Sequence, residues 1–271
     1  MSNYDKPGQA INQLVEDGKF EESFRDDLFQ ELTKVRGISS QFFDEIPAAF
    51  EITRGTNLLF VEGGGELDLS GIDRPTARQL NAIFFSTDDD VDLTLPNQFR
   101  GTVVLGDGNN SLEANNAVIV HSGAGNDTIN TGRGNDLVVT GEGDDLVDTG
   151  NGNDTIVVGS GNDTINVGNG RDLIVVEKGE DTDNTIVIDG GRGRDTLDLS
   201  DVVITNISVT GTNARGRPTS VQIELEHGTT LDVTNVERFI YDVNGDGLIS
   251  RDETLTLIGL LDIDFDAGPL G

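Results

Sequence analysis

Apolar residues along this chain follow three rhythms, and each predicts a different kind of element. Over residues 1–46, Ile11, Leu14 and Val15, then Phe24, Leu28, Leu32 and Val35, recur at the i, i+3, i+4 spacing of an amphipathic helix, with Gly37 where a helix-ending glycine belongs. From Asn57 to Val120 the pattern changes to short apolar runs at irregular intervals: Leu58–Val61, Leu67–Leu69, Ala82–Phe85, Val91–Leu95, Val103–Leu105 and Ala117–Val120. Bounded by turn residues, these read as strands. From Ile129 the rhythm becomes strict, because Ile129, Val138, Val147, Ile156, Ile165 and Ile174 stand nine residues apart.

Each of those six residues closes the same phrase, Gly-x-Gly-x-Asp-x followed by Ile or Val. The glycine pairs are Gly123 and Gly125, Gly132 and Gly134, Gly141 and Gly143, Gly150 and Gly152, Gly159 and Gly161, and Gly168 and Gly170. The aspartates are Asp127, Asp136, Asp145, Asp154, Asp163 and Asp172. Such self-similarity at a fixed period marks a repeat architecture, in which one unit cannot close a core alone and successive units must stack. The residue after the inward Ile or Val reads Asn130, Asp148, Asn166 in alternate copies and Val139, Val157, Val175 in the others. The turns repeat every nine residues and the faces every eighteen, which predicts a flattened solenoid with two copies per coil and one strand in each of two sheets.

The spacing also carries chemistry. Two glycines around one residue let the backbone enter conformations closed to side chains with a Cβ, so that a turn can aim its carbonyl oxygens inward. An aspartate beside such a turn adds negative charge. Calcium takes six to eight oxygens from carboxylates and carbonyls at roughly 2.3–2.6 Å, so an ion is expected between the turns of copies i and i+2.

These residues resemble the RTX, or hemolysin-type, calcium-binding repeat proteins, whose nonapeptide is Gly-Gly-x-Gly-x-Asp-x-U-x. The tandem copies depart from it at the first glycine, replaced by Ser122, Thr131, Thr140, Thr149, Val158 and Val167, whereas Gly190-Gly191-Arg-Gly193-Arg-Asp195-Thr-Leu197-Asp matches in full. Leu231–Phe239 is similar to the strand that follows such arrays. The resemblance implies a right-handed parallel β-roll, export of the type I kind without a cleaved leader, and folding that depends on calcium. It does not imply an activity.

Charge sharpens this picture. The chain has 271 residues, 18 Lys and Arg against 49 Asp and Glu, and a formal net charge of −31. An excess this large repels nucleic acid and calls for divalent cations as counter-charge. There are no cysteines, so neither disulfides nor thiolate ligands are available. Met1-Ser-Asn-Tyr-Asp-Lys lacks the basic and apolar regions of a Sec signal peptide, and no apolar run is long enough to span a membrane.

A second metal motif closes the chain. Residues 242–253 fit the twelve-residue EF-hand loop, with Asp242, Asn244, Asp246, the Leu248 carbonyl, Ser250 and a bidentate Glu253 as ligands and Gly247 at the sharp turn. Val236–Tyr241 reads as a strand rather than an entering helix, and Leu255–Leu261 as an exiting helix. The loop is also similar to half of a dockerin.

The expected chain is thus mainly β. It has an N-terminal helical segment (1–50), calcium-poor solenoid coils (51–121), the calcium-binding roll (122–198), a capping β segment (199–241) and the EF-hand-like loop with its helix (242–271). The degenerate copy Gly106-Asp-Gly108-Asn-Asn110-Ser-Leu112 places Asn110 where an aspartate would stand. About four or more calcium ions in the roll and one in the terminal loop are expected. No zinc-protease His-Glu-x-x-His, no Gly-x-Ser-x-Gly elbow and no nucleotide loop is present, and His121 and His227 read as ordinary surface residues. The leading reading is a secreted, non-enzymatic calcium-binding protein of a surface or matrix, with self-association or a surface partner. Two alternatives stay open: an enzyme with an unrecognised site in residues 50–121, and a dockerin-like partner-binding module.

Overall fold

A computed structural model describes residues 40–43, 45–46, 52, 54–178, 183–216, 218–241 and 254–256. Strands spaced about one coil apart pair in parallel, and from Leu58–Val61 to Thr196–Asp198 consecutive strands alternate between two sheets, apart from Asn169–Gly170 and Arg192–Gly193, which pair with each other. One sheet has 11 strands, running in space from Ser40–Phe43 through Leu58–Val61, Ala82–Phe85, Thr102–Val104, Ile119–His121, Leu137–Val139, Thr155–Val158, Leu173–Val176 and Thr196–Asp198 to Arg238–Ile240 and Thr254–Thr256. The other has 10 and includes Gly65–Asp68, Val91–Thr94, Ser111–Glu113, Thr128–Asn130, Leu146–Asp148, Thr164–Asn166 and Thr185–Asp189. The architecture is a parallel β-solenoid.

The register explains the nine- and eighteen-residue rhythms. Val120, Val138, Ile156, Ile174, Leu197 and Phe239 lie in one column of the first sheet, each 0% exposed. Leu112, Ile129, Val147, Ile165 and Ile188 form the matching column of the second. Burying one such side chain stabilises by about 1.5–3 kcal/mol. No single strand could hold itself together, but each inward residue packs on its equivalents in the coils before and after. The side chains outside differ by face: Leu137, Val139, Thr155, Val157, Leu173 and Val175 are half-buried, whereas Thr128, Asn130, Leu146, Asp148, Thr164 and Asn166 are exposed.

Upstream of the strict repeats the core is larger. Phe85 and Phe99, 4% and 1% exposed, belong to it, while on the other face of the same sheet Phe60 stacks on Phe84 with ring centroids 5.0 Å apart. A short helix, Arg74–Gln79, interrupts the coils; Asp73 caps it by accepting the Thr76 N–H at 2.9 Å, with Pro75 in its first turn. The apolar pattern did not predict this element, since six residues are too few to show a helical stripe.

At the other end the parallel stack gives way to an antiparallel meander. Ile204–Thr212 pairs antiparallel with Pro218–Leu225, which pairs antiparallel with Thr230–Thr234, and the last of these rejoins the roll in parallel with Thr185–Asp189. Asp172 and Asp195 stand 23 residues apart instead of 18, with the acidic stretch Glu177–Asp183 between them, yet Ile174 pairs with Leu197 and Ile165 with Ile188 across the longer coil.

The margins of two expected helices are strands. Ser40–Phe43, at the end of the stretch read as helical and beyond Gly37, pairs in parallel with Leu58–Val61; the stripe itself, Ile11 to Val35, lies outside the described residues. Thr254–Thr256, at the start of the expected exiting helix Leu255–Leu261, pairs antiparallel with Arg238–Ile240, and the residues after it lie outside the described residues. In both places one more strand satisfies the hydrogen-bonding edge of the first sheet.

Candidate metal centre

The repeated aspartates lie inside the turns. Asp127, Asp136, Asp145, Asp154, Asp163, Asp172 and Asp195 are all buried, none more than 3% exposed. Carboxylates are rarely buried to this degree without a partner. Part of the compensation is a ladder along each edge of the roll. On one edge Asn110 donates its backbone N–H to Asp127 Oδ1 (2.7 Å), Asp127 to Asp145 (2.8 Å), and Asp145 to Asp163 (3.0 Å). On the other, Val118 donates to Asp136 (2.8 Å), Asp136 to Asp154 (2.8 Å), Asp154 to Asp172 (2.8 Å), and Asp172 to Asp195 (2.9 Å).

Only one oxygen of each carboxylate is used in this way. The second, Oδ2, is buried with no hydrogen-bond partner in Asp127, Asp145, Asp154, Asp163, Asp172 and Asp195. In Asp136 it accepts from the Thr131 hydroxyl at 2.7 Å. A buried acceptor left without a partner costs about 1–3 kcal/mol, more when charged, and here six recur at equivalent places. Burial, opposed in part by the ladder N–H and reinforced by neighbouring carboxylates, pushes these acids up: Asp145 to about 8, Asp172 to about 7, and Asp127, Asp154 and Asp163 to about 6. Asp136 and Asp195 are raised as well, again chiefly by burial.

A cation beside each Oδ2 would satisfy the oxygen and reverse the charge penalty. Among the described residues no three acidic, histidine or cysteine side chains converge; the other oxygens beside the aspartates are those of the turn carbonyls and of hydroxyls such as Ser122, Thr140 and Thr149. The donor set is then all oxygen, which suits calcium and excludes the softer metals.

The glycines make the stacking of these turns sterically possible. A Cβ on Gly141 would lie 1.8 Å from the Gly123 carbonyl oxygen, one on Gly159 1.9 Å from that of Gly141, and one on Gly193 1.7 Å from that of Gly170. Left-handed backbone is part of the reason, as at Gly143 with φ +117°. It is not the whole reason: Gly152 and Gly170 lie outside that region, yet a Cβ there would meet the carbonyl oxygens of Gly134 and Gly152 at 1.5 and 1.7 Å. Close approach of backbone to backbone is the more general demand.

Two sets of residues in the site were not singled out from the sequence. The residue before each aspartate forms an outer ladder of opposite direction: Asp144 donates its N–H to Asn126 Oδ1 (2.8 Å) and Asn162 to Asp144 (2.7 Å), while on the other edge Asn153 donates to Asn135 (2.9 Å). The recurrence of Asn at 126, 135, 153 and 162 was the signal. Each turn is tied forward through its aspartate and backward through its neighbour. The second is Glu237, whose Oε2 accepts the Asp195 N–H at 2.8 Å and ends one ladder. His121 is half-buried, and burial pushes it down to about 4; His227 is exposed beside Glu226. The EF-hand-like ligands Asp242, Asn244, Asp246, Leu248, Ser250 and Glu253 lie outside the described residues.

Comparison with known families agrees with this geometry. Residues 119–147 and 148–183 match the RTX calcium-binding nonapeptide repeat, and the match takes in the six turns from Asp127 to Asp172. No curated protein matches the chain. Among solved structures, the crystal structure of extracellular lipase LipA from Serratia marcescens aligns at 15% identity over 66% of this chain and 42% of that one, with a TM-score of 0.16. The chain therefore spans less than half the length of that lipase, and so low a structural score carries no argument about function.

Proposed function

We propose that this protein is a secreted, non-enzymatic calcium-binding protein whose roll folds on the ions it binds, and that it serves a structural role at a cell surface or in an extracellular matrix. The observation that carries the reading is the row of six buried aspartate oxygens with no partner. Because such a site is not preformed in an unfolded chain, the free energy of ion binding becomes free energy of folding. Export before folding follows from the same linkage: a chain held open where calcium is scarce folds where calcium is abundant. The −31 net charge supports this, since it opposes compaction until cations are bound. The terminal loop 242–253 adds one further ion on this reading.

Circular dichroism in chelator and in millimolar calcium tests the proposal. The expected result is a cooperative gain of β structure on adding calcium, with magnesium a poor substitute because it favours near-octahedral, partly hydrated sites. A spectrum that is the same in both conditions would refute it.

A further inference from the structure

The first turn in the aspartate register carries an amide where the later turns carry a carboxylate. At that place stands Asn110, 2% exposed, and every polar atom of its side chain is engaged. Its Oδ1 accepts the Val91 N–H at 3.1 Å, as an aspartate Oδ1 accepts in the ladder. Its Nδ2 faces three carbonyl oxygens: Gly106 at 3.0 Å, Gly108 at 2.7 Å and Ser122 at 3.4 Å. This orientation is forced, because the flipped amide would set an oxygen against three carbonyls and waste a donor.

Those three carbonyls identify what the amide replaces. Gly106 and Gly108 underlie Gly123 and Gly125 in the stack, where an added Cβ would lie 2.5 Å from each of their oxygens, and Asn110 underlies Asp127 through its own N–H. The second oxygen of Asp127 has no partner, whereas the second polar atom of Asn110 brings two protons of its own. One coil earlier the equivalent residue is Val91, 1% exposed, which places no polar side chain there. Along this edge the centre of the turn is filled first by a methyl-bearing side chain, then by a proton-donating amide, and from Asp127 onward by a carboxylate that needs a cation.

We propose that the Asn110 carboxamide stands in for a calcium ion, so that the coils from Leu58 to Ser122 fold without metal and form the template on which the calcium-dependent coils are laid. This rests on the calcium reading above and adds a boundary and a direction to it. The template presents paired strand edges at Ser111–Glu113 and Ile119–His121, on which Thr128–Asn130 and Leu137–Val139 add in register. The larger core upstream, with Phe85 and Phe99, and the stacked pair Phe60 and Phe84 on the other face of the sheet supply apolar burial that the slimmer repeats lack.

The test uses the full chain, wild type and Asn110→Asp, with hydrogen exchange in chelator and in calcium and with calorimetric counting of bound calcium. In chelator, the wild-type amides of Val91–Thr94 and Ser111–Glu113 should stay protected while those of Leu146–Asp148 and Thr164–Asn166 exchange freely. Asn110→Asp should bind one more calcium per chain than wild type, lose protection at Ser111–Glu113 in chelator, and regain it with calcium. Free exchange of wild-type Ser111–Glu113 in chelator overturns the proposal, and so does a variant that stays unfolded in calcium. If wild type binds calcium and the variant binds no more, the Asn110 assignment alone falls. If wild type binds none, the calcium reading falls and takes this proposal with it.

Discussion

Asp127 donates its backbone N–H to the carboxylate of Asp145 at 2.8 Å, and Asp145 donates its own to Asp163 at 3.0 Å. Each link leaves a carboxylate oxygen facing the interior of the turn, so hydrogen bonds that hold the coils in register also bring buried negative charges into line. Without cations the ladder works against itself.

Asp145→Asn separates these two effects. A carboxamide keeps the ladder acceptor, removes the buried charge and can donate to turn carbonyls as Asn110 does. In chelator the variant should therefore be more stable than wild type by about 1–3 kcal/mol, the usual cost of a buried group without a partner. In calcium the order should reverse and calcium uptake should fall. Thermal unfolding with and without chelator measures both, and a variant less stable in both conditions would count against the account.

The pH dependence of the metal-free protein should be opposite to that of most folded proteins. The folded-state carboxyls are raised from 3.8 to about 6 at Asp127, Asp154 and Asp163, about 7 at Asp172 and about 8 at Asp145. Below about pH 4 both states are protonated and there is no penalty; as pH rises toward 8 the unfolded chain ionises first, and stability is lost progressively. In chelator the β signal should strengthen on acidification to about pH 4. Where acid has folded the metal-free roll, calcium must displace the retained protons, so calorimetry in buffers of different ionisation enthalpy should show proton release there and little at neutral pH, where the calcium-free chain is unfolded and already ionised.

Gly152 and Gly71 give a paired test of stacking. Neither needs left-handed backbone, but a Cβ on Gly152 would lie 1.5 Å from the Gly134 carbonyl oxygen, whereas Gly71 has nothing within 4 Å. Gly152→Ala should cost about 1–3 kcal/mol, as overpacking does, and Gly71→Ala should stay within about 0.5 kcal/mol of wild type. Chemical unfolding in calcium gives both values. Equal effects would show that close approach does not select glycine at position 152.

Glu253→Gln tests the terminal loop. Ile240 and Thr254 are register partners, so the residues flanking the loop are held side by side by the sheet. The substitution should remove one calcium, counted by calorimetry, and speed exchange of the Thr254–Thr256 amides while leaving those of Thr155–Val158 unchanged. An undiminished calcium count would remove the loop from the set of sites.

The solenoid was legible in the sequence because its inward residues and its turns share one period, so a single count fixes strand, face and pairing partner together. The count alone matches Ile156 with Val138 and Ile174, and the strands pair so. Arg74–Gln79 was not legible, since a six-residue helix is specified by Asp73 and Pro75 rather than by a stripe. Ser40–Phe43 and Thr254–Thr256 were misread for a related reason: each is short, and its strand state comes from a neighbour already in the sheet. Within the site, the aspartates announced themselves by charge and spacing, but the outer ladder through Asn126, Asp144 and Asn162 was hidden because an asparagine in a turn has many ordinary uses. Glu237 was hidden because it lies outside the repeat and replaces an aspartate with a longer side chain.

The coil between Asp172 and Asp195 runs to 23 residues where its predecessors run to 18, yet the Asp172 N–H still reaches Asp195 Oδ1 at 2.9 Å. What the architecture conserves is therefore the set of contacts between coils, not the length of chain that joins them. The extra residues fall between Val176, which still pairs with Val158, and Thr185, which still pairs with Thr230, so chain has been gained there without disturbing either face. A lineage could lengthen the molecule at this join by accretion, and a peptide epitope or tag grafted there would be carried on a scaffold whose strand pairing it does not enter.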